Sequence, residues 1–89
     1  DEQDDIKVSF MRSQERDKYC HKLNLERYAA MLPTLEDGTW KTRVTKLHAD
    51  TASRLAEVDS IIAATLPQMP SAERIAAALT RLQAAAITS

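Results

Sequence analysis

The sequence is poor in the residues that make turns, crosslinks or membrane spans. Its 89 residues hold one glycine and three prolines, too few for the repeated turns of a β-sandwich or barrel. The lone cysteine, Cys20, cannot close an internal disulfide, which excludes a disulfide-stapled scaffold and fits a reducing compartment. Apolar runs, Ile61 to Ala64 among them, fall far short of a membrane span or a signal-peptide core, so the chain reads as soluble and cytoplasmic. Net charge is −1, which removes any global pull towards nucleic acid or anionic lipid. Gly38 stands alone, so no glycine-rich phosphate loop can form.

What is present favours helix. Fourteen alanines accompany many Leu, Glu, Lys, Arg and Gln residues, all good helix formers, and the fold class is all-α. From Trp40 to Leu66 the pattern is strongest. At about 100° per residue, Trp40, Val44, Leu47, Thr51, Leu55, Val58, Ile62 and Thr65 fall in one strip. Val44, Thr51, Val58 and Thr65 recur every seven residues, with Leu47 and Ile61 as the companion series and Arg54 interrupting it. Such a helix runs roughly 40 Å and needs something to lie against.

The other elements follow from their punctuation. Residues 1–12 read as a flexible or extended arm: an acidic tip of Asp1, Glu2, Asp4 and Asp5, then the strand-like alternation of Ile6, Val8 and Phe10. Residues 13–89 read as one three-helix domain. Ser13 is the expected cap of a first helix that Pro33 stops. Its apolar residues form two opposed groups, Tyr19, Cys20, Leu23, Ala30 and Met31 against Leu25, Tyr28, Ala29 and Leu32. Asp37-Gly38 marks the turn, with Leu35 plugging the loop, Thr39 capping the second helix and Trp40 closing the base of the bundle. Leu66-Pro67-Gln68-Met69-Pro70 ends that helix, and Ser71 caps a third that runs to about Ile87. The expected architecture is a long antiparallel hairpin plus a shorter third helix, with coiled-coil-like packing and no internal repeat.

Chemistry is scarce. Residues 6 to 48 carry nine bases against five acids, and Arg12, Arg16, Lys18, Lys22 and Arg27 of the first helix are the candidates for contact with nucleic-acid phosphates. They are interleaved with Glu15, Asp17 and Glu26, the pattern of a solvated face. Lys41 lies well round the wheel from Arg43 and Lys46. The spacing of Lys46, Asp50 and Arg54 predicts a self-neutralising ladder, with Arg54 reaching outwards. Cys20 and His21 are adjacent and point about 100° apart on a helix, so they do not chelate one ion, and no second ligand sits at the usual spacing. Cys20 reads as a small core or interface residue, and His48 as an edge residue with one nitrogen in water. Glu57 and Asp59 diverge and cannot act as paired acid and base. No catalytic residue, cofactor site or metal site is expected.

The functional expectation is a non-enzymatic interaction or assembly module whose partner is a protein, itself or a larger one. A 40 Å seam and a two-sided first helix offer more apolar stripe than a short third helix can cover. Leu23, Tyr28, Met31, Leu47, Leu55, Val58 and Ile62 are the expected contact residues. The alternative is a small nucleic-acid-associated regulator using the five first-helix bases. No membrane partner is expected.

Overall fold

With so many helix formers, helix runs wherever proline or glycine does not interrupt it. A computed structural model describes residues 1–88. Among them stand α1 (Glu2–Met31), α2 (Thr39–Thr65) and α3 (Ala72–Thr88), with 3₁₀ turns at Leu32–Thr34 and Leu66–Gln68 and no strand. The class and the hairpin-plus-third-helix architecture are those the sequence implies.

The arm expected over residues 1–12 is instead the opening of α1. Asp1 is its N-cap: the side chain accepts the Asp4 N–H at 2.9 Å, and the Asp4 carboxylate reaches back to the Asp1 nitrogen at 3.3 Å. This reciprocal pair satisfies two of the donors a helix start leaves orphaned. The acidic tip therefore starts the helix, with Glu2, Asp4 and Asp5 at the positive end of its dipole. Ser13 sits mid-helix and caps nothing. Of the alternating trio only Val8 is buried, together with Met11 one helical turn on, while Ile6 and Phe10 stay exposed.

The second cap also moves. Gly38, not Thr39, precedes α2, with φ 148° and ψ −164°, a backbone region closed to residues with a Cβ. Its carbonyl accepts the Thr42 N–H at 3.1 Å and the Thr42 hydroxyl at 3.0 Å. Ser71 does cap α3: its Oγ accepts the Arg74 N–H at 3.3 Å.

A short repeat, unexpected from the sequence, ends both long helices. Ala29-Ala30-Met31-Leu32-Pro33 recurs as Ala63-Ala64-Thr65-Leu66-Pro67. In each copy the leucine N–H still closes the helix, the proline enters a 3₁₀ turn where its missing N–H costs nothing, and the following Leu35 or Met69 adopts an extended backbone. Two identical exits give the chain two reversals.

Among the described residues α2 packs on α1 and the turns but not on α3. Its inward positions are therefore those it turns to α1: Lys41, Val44, His48, Thr51, Leu55, Val58, Ile62 and Thr65, all buried or half-buried at alternating steps of three and four. The companion series is thus Lys41, His48, Leu55 and Ile62, and not Leu47, Arg54 and Ile61, which are exposed. A one-residue step turns the helix by about 100°, so the two series occupy different flanks. Thr65, half-buried at the end of the series, donates its hydroxyl to the Ile61 carbonyl at 2.7 Å. On α1, Leu25, Tyr28 and Leu32 are half-buried, whereas Tyr19, Cys20, Ala30 and Met31 of the other predicted group are exposed.

The third helix does not cover that second side. Arg74 meets Asp1 and Asp4, Arg81 meets Asp5, and Leu82 lies beside Ser9, Arg12 and Arg16. Pairing that advances along both helices together means α3 runs in the same sense as α1, beside its N-terminal part. Ala78, with no exposed surface, lets the two backbones approach. The result is one layer, with α1 between α2 and α3, measuring 55 × 30 × 15 Å. The thin dimension is little more than one helix with its side chains. A radius of gyration of 17.9 Å, against about 12 Å for a compact domain of this length, says the same.

Candidate interaction surface

A single layer of helices has two open faces, and the apolar residues on them form the candidate site. On α2 the exposed stripe is Trp40, Leu47 and Ile61, with 69%, 46% and 39% of their surface accessible. They fall on one flank of the seam because they stand one residue before Lys41, His48 and Ile62, which take the inward positions. Trp40 therefore does not close the bundle as its size suggests. Its ring lies under the Arg43 guanidinium at 5.3 Å, a cation–π contact that stiffens both side chains in the open.

The charges of α2 are sorted along its length. Lys41, Arg43 and Lys46 occupy the first half and Glu57 and Asp59 the second, with Asp50 and Arg54, near the middle, the exceptions. Neither an acid in the first turn nor a base in the last offsets the helix dipole, so the order runs against what an isolated helix prefers. The hairpin uses part of it: Lys41 pairs with Asp37 at 3.1 Å, and Lys18 of α1 with Asp59 at 2.9 Å. The expected ladder through Lys46, Asp50 and Arg54 is not made; among the described residues no ion pair engages them, Arg43 or Glu57.

The seven expected contact residues separate into two sets. Val58 is buried, and Tyr28, Leu55 and Ile62 are half-buried in the hairpin seam. Met31 and Leu47 are exposed and Leu23 is half-buried. The Lys18–Asp59 pair ties the two helices of the hairpin together, and Met31, the last residue of α1, stands at the loop end of the hairpin.

The five first-helix bases do not form one patch. Lys18 is held by Asp59, Arg12 and Arg16 edge a crevice with Ser9 and Leu82, and Lys22 and Arg27 are exposed elsewhere. Cys20 is also exposed and not a core residue, because it lies on the side of α1 that no helix covers. Among the described residues no group of three or more His, Cys, Asp or Glu side chains could hold a metal ion. No helix among them is long and apolar enough to cross a membrane.

Sequence reasoning missed the α1–α3 clamp. Arg74 donates from Nε to Asp4 Oδ2 at 2.8 Å and from Nη2 to Asp4 Oδ1 at 2.6 Å, and reaches Asp1 Oδ2 at 3.4 Å. Arg81 donates from Nε and Nη2 to Asp5 Oδ1 at 3.0 and 2.6 Å. Two-pronged pairs of this kind fix geometry as well as charge. The hydrogen bonds from Arg74 hold the Asp4 carboxyl below its ordinary 3.8, against a smaller upward push from desolvation; those from Arg81 do the same for Asp5. The available signal was spacing: Arg74 and Arg81, the only bases of α3, lie seven apart and so share a helix face.

An apolar cleft of about 240 Å³ opens where the turn after α2 meets α1 and α3, lined by Val8, Met11, Leu66, Met69, Ile75 and Leu79 with Arg12 and Glu15 at its edge. The chain matches no known family model, no characterised protein and no solved structure.

Proposed function

We propose that this protein is a non-enzymatic helical interaction module, acting by self-association or by docking on a larger protein, with its hairpin packed as a short antiparallel coiled coil. One observation carries the reading. The accessible surface is 6620 Å², whereas a compact monomer of 9.9 kDa exposes about 5200 Å². The excess of roughly 1400 Å² exceeds the ~800 Å² that each partner buries in a standard protein interface. The surface left open includes the Trp40, Leu47 and Ile61 stripe, and large apolar side chains lined up in the open mark a contact face.

Light scattering over a wide concentration range tests the reading, combined with capture of partners by wild type and Leu47→Asp. A mass that rises with concentration supports it, as does a partner bound by wild type and lost in Leu47→Asp. A chain that stays monomeric and holds no such partner sinks it. The nucleic-acid reading is the weaker, because Arg12, Arg16, Lys18, Lys22 and Arg27 do not share a face; it requires DNA or RNA binding at low salt that weakens steeply as salt rises.

A further inference from the structure

We infer that the occupant of the α2 stripe is a second copy of this chain, docked antiparallel along α2 around a two-fold axis passing between Asp50 and Thr51. This rests on the self-association form of the function proposed above and gives it a face and an orientation.

The spacing comes first. Trp40, Leu47, Arg54 and Ile61 recur every seven residues along the exposed flank. A stripe with that period stays in line with a neighbouring helix that winds gently around it, and this one extends roughly 32 Å. It is also its own complement when reversed. Its midpoint lies between Leu47 and Arg54, so an antiparallel copy sets Trp40 against Ile61 of the second copy, and Leu47 against the aliphatic stem of Arg54. A two-fold interface repeats each of these contacts. A parallel copy would stack Arg54 on Arg54.

The charges point the same way. An antiparallel copy brings Arg43 opposite Glu57 twice. This outweighs the single meeting of the two Asp50 side chains at the axis, where both face solvent, while the long side chains of Lys46 and Arg54 can turn apart. Arg43, Lys46, Asp50, Arg54 and Glu57 are the charges of this flank that no ion pair among the described residues engages. Their order opposes the dipole of their own helix, and a reversed neighbour supplies a compensating field. A nucleic acid would be drawn to the first half of α2 and repelled by the second. Over the whole molecule, the accessible surface in excess of a compact monomer is larger than one partner's share of a standard interface.

The test uses the full chain and sedimentation equilibrium. Arg43→Glu and Glu57→Arg each turn two attractions into two repulsions and raise the dimer Kd by about tenfold or more, while the double swap restores it to near the wild-type value. Circular dichroism checks that these exposed substitutions leave the helices intact. In a Cys20→Ser background, Asp50→Cys, beside the axis, gives a disulfide-linked dimer on mild oxidation, and Ala56→Cys, on the opposite flank, does not. A chain monomeric at every concentration overturns the inference, yet the function above survives if a larger partner is lost in Leu47→Asp. A dimer indifferent to Arg43→Glu, or linked through Ala56→Cys, overturns the face and leaves self-association standing.

Discussion

Arg74 grips Asp4 through two hydrogen bonds, at 2.8 and 2.6 Å, and Asp4, 3% exposed, is the one buried charged residue among those described. Because α3 touches α1 but not α2, this pair, its neighbour Arg81–Asp5 and the apolar cleft shared by Val8 and Met11 with Ile75 and Leu79 are what hold α3 in the layer. The hairpin does not depend on them.

Replacing Asp4 by asparagine removes the negative charge and puts a donating NH2 where one of the two accepting oxygens faces Arg74, and it also weakens the capping box at Asp1. α3 should loosen while the hairpin persists. In native-state hydrogen exchange, amides over residues 75–86 speed up by about tenfold or more, whereas those around Val44 to Val58 hold their rates. Uniform acceleration along the chain would show that α3 and the hairpin open as one unit.

Acid should release the same contact. Arg74 and Arg81 lower the Asp4 and Asp5 carboxyls in the folded chain below the 3.8 that they have when free. A lowered folded value means the unfolded state binds protons first as pH falls. The stabilisation is therefore complete above about pH 4 and is lost as pH drops through the folded-state values. Titrating the amides of α3 by NMR from pH 6 to 2 should show α3 undocking at the acid end; undocking near neutrality would contradict the clamp.

Helix class, the Pro33 and Pro67 stops, the cap at Ser71 and the seven-residue series through Val44 are legible in the sequence because they are local. What was misread depends on neighbours distant along the chain. Four acids in five residues look like a mobile tip until Arg74 and Arg81 arrive from the far end, and the alternation of Ile6, Val8 and Phe10 looks like strand until Met11 joins Val8 on a helix face. On α2 two series of equal period compete. Choosing by hydrophobicity put Trp40 and Leu47 inside, yet Lys41 and His48 hold those places, because a long side chain can lay its stem in a seam and keep its polar end wet. That misreading is also why the candidate site was only half visible: Leu47 was picked out, Trp40 and Ile61 were not.

Gly38 tests backbone strain apart from packing. A Cβ there would meet no atom within 4 Å, so an alanine is not excluded by crowding. Its φ of 148° is nevertheless essentially a glycine-only conformation. Gly38→Ala should cost about 1–3 kcal/mol and fray the first turn of α2, seen as faster exchange at Lys41 and Thr42. A neutral or stabilising result would mean the loop takes up another path at little cost.

Val58 and Leu47 make the sharpest comparison, since both sit on α2 and differ mainly in flank. Val58 is buried against α1, so Val58→Ala removes two methyl groups from a packed seam and should cost about 2 kcal/mol. For a chain of this size that lowers Tm by roughly 10 °C. Leu47→Ala, at an exposed position, should change stability by no more than about 0.5 kcal/mol when the protein is dilute. At high concentration the order changes. If Leu47 lies in a contact between copies, wild-type Tm rises with concentration and Leu47→Ala abolishes the rise, whereas Val58→Ala lowers Tm at every concentration and keeps the slope. Equal losses from the two substitutions in dilute solution would place Leu47 in the seam after all, and with it the companion series that hydrophobicity alone selects.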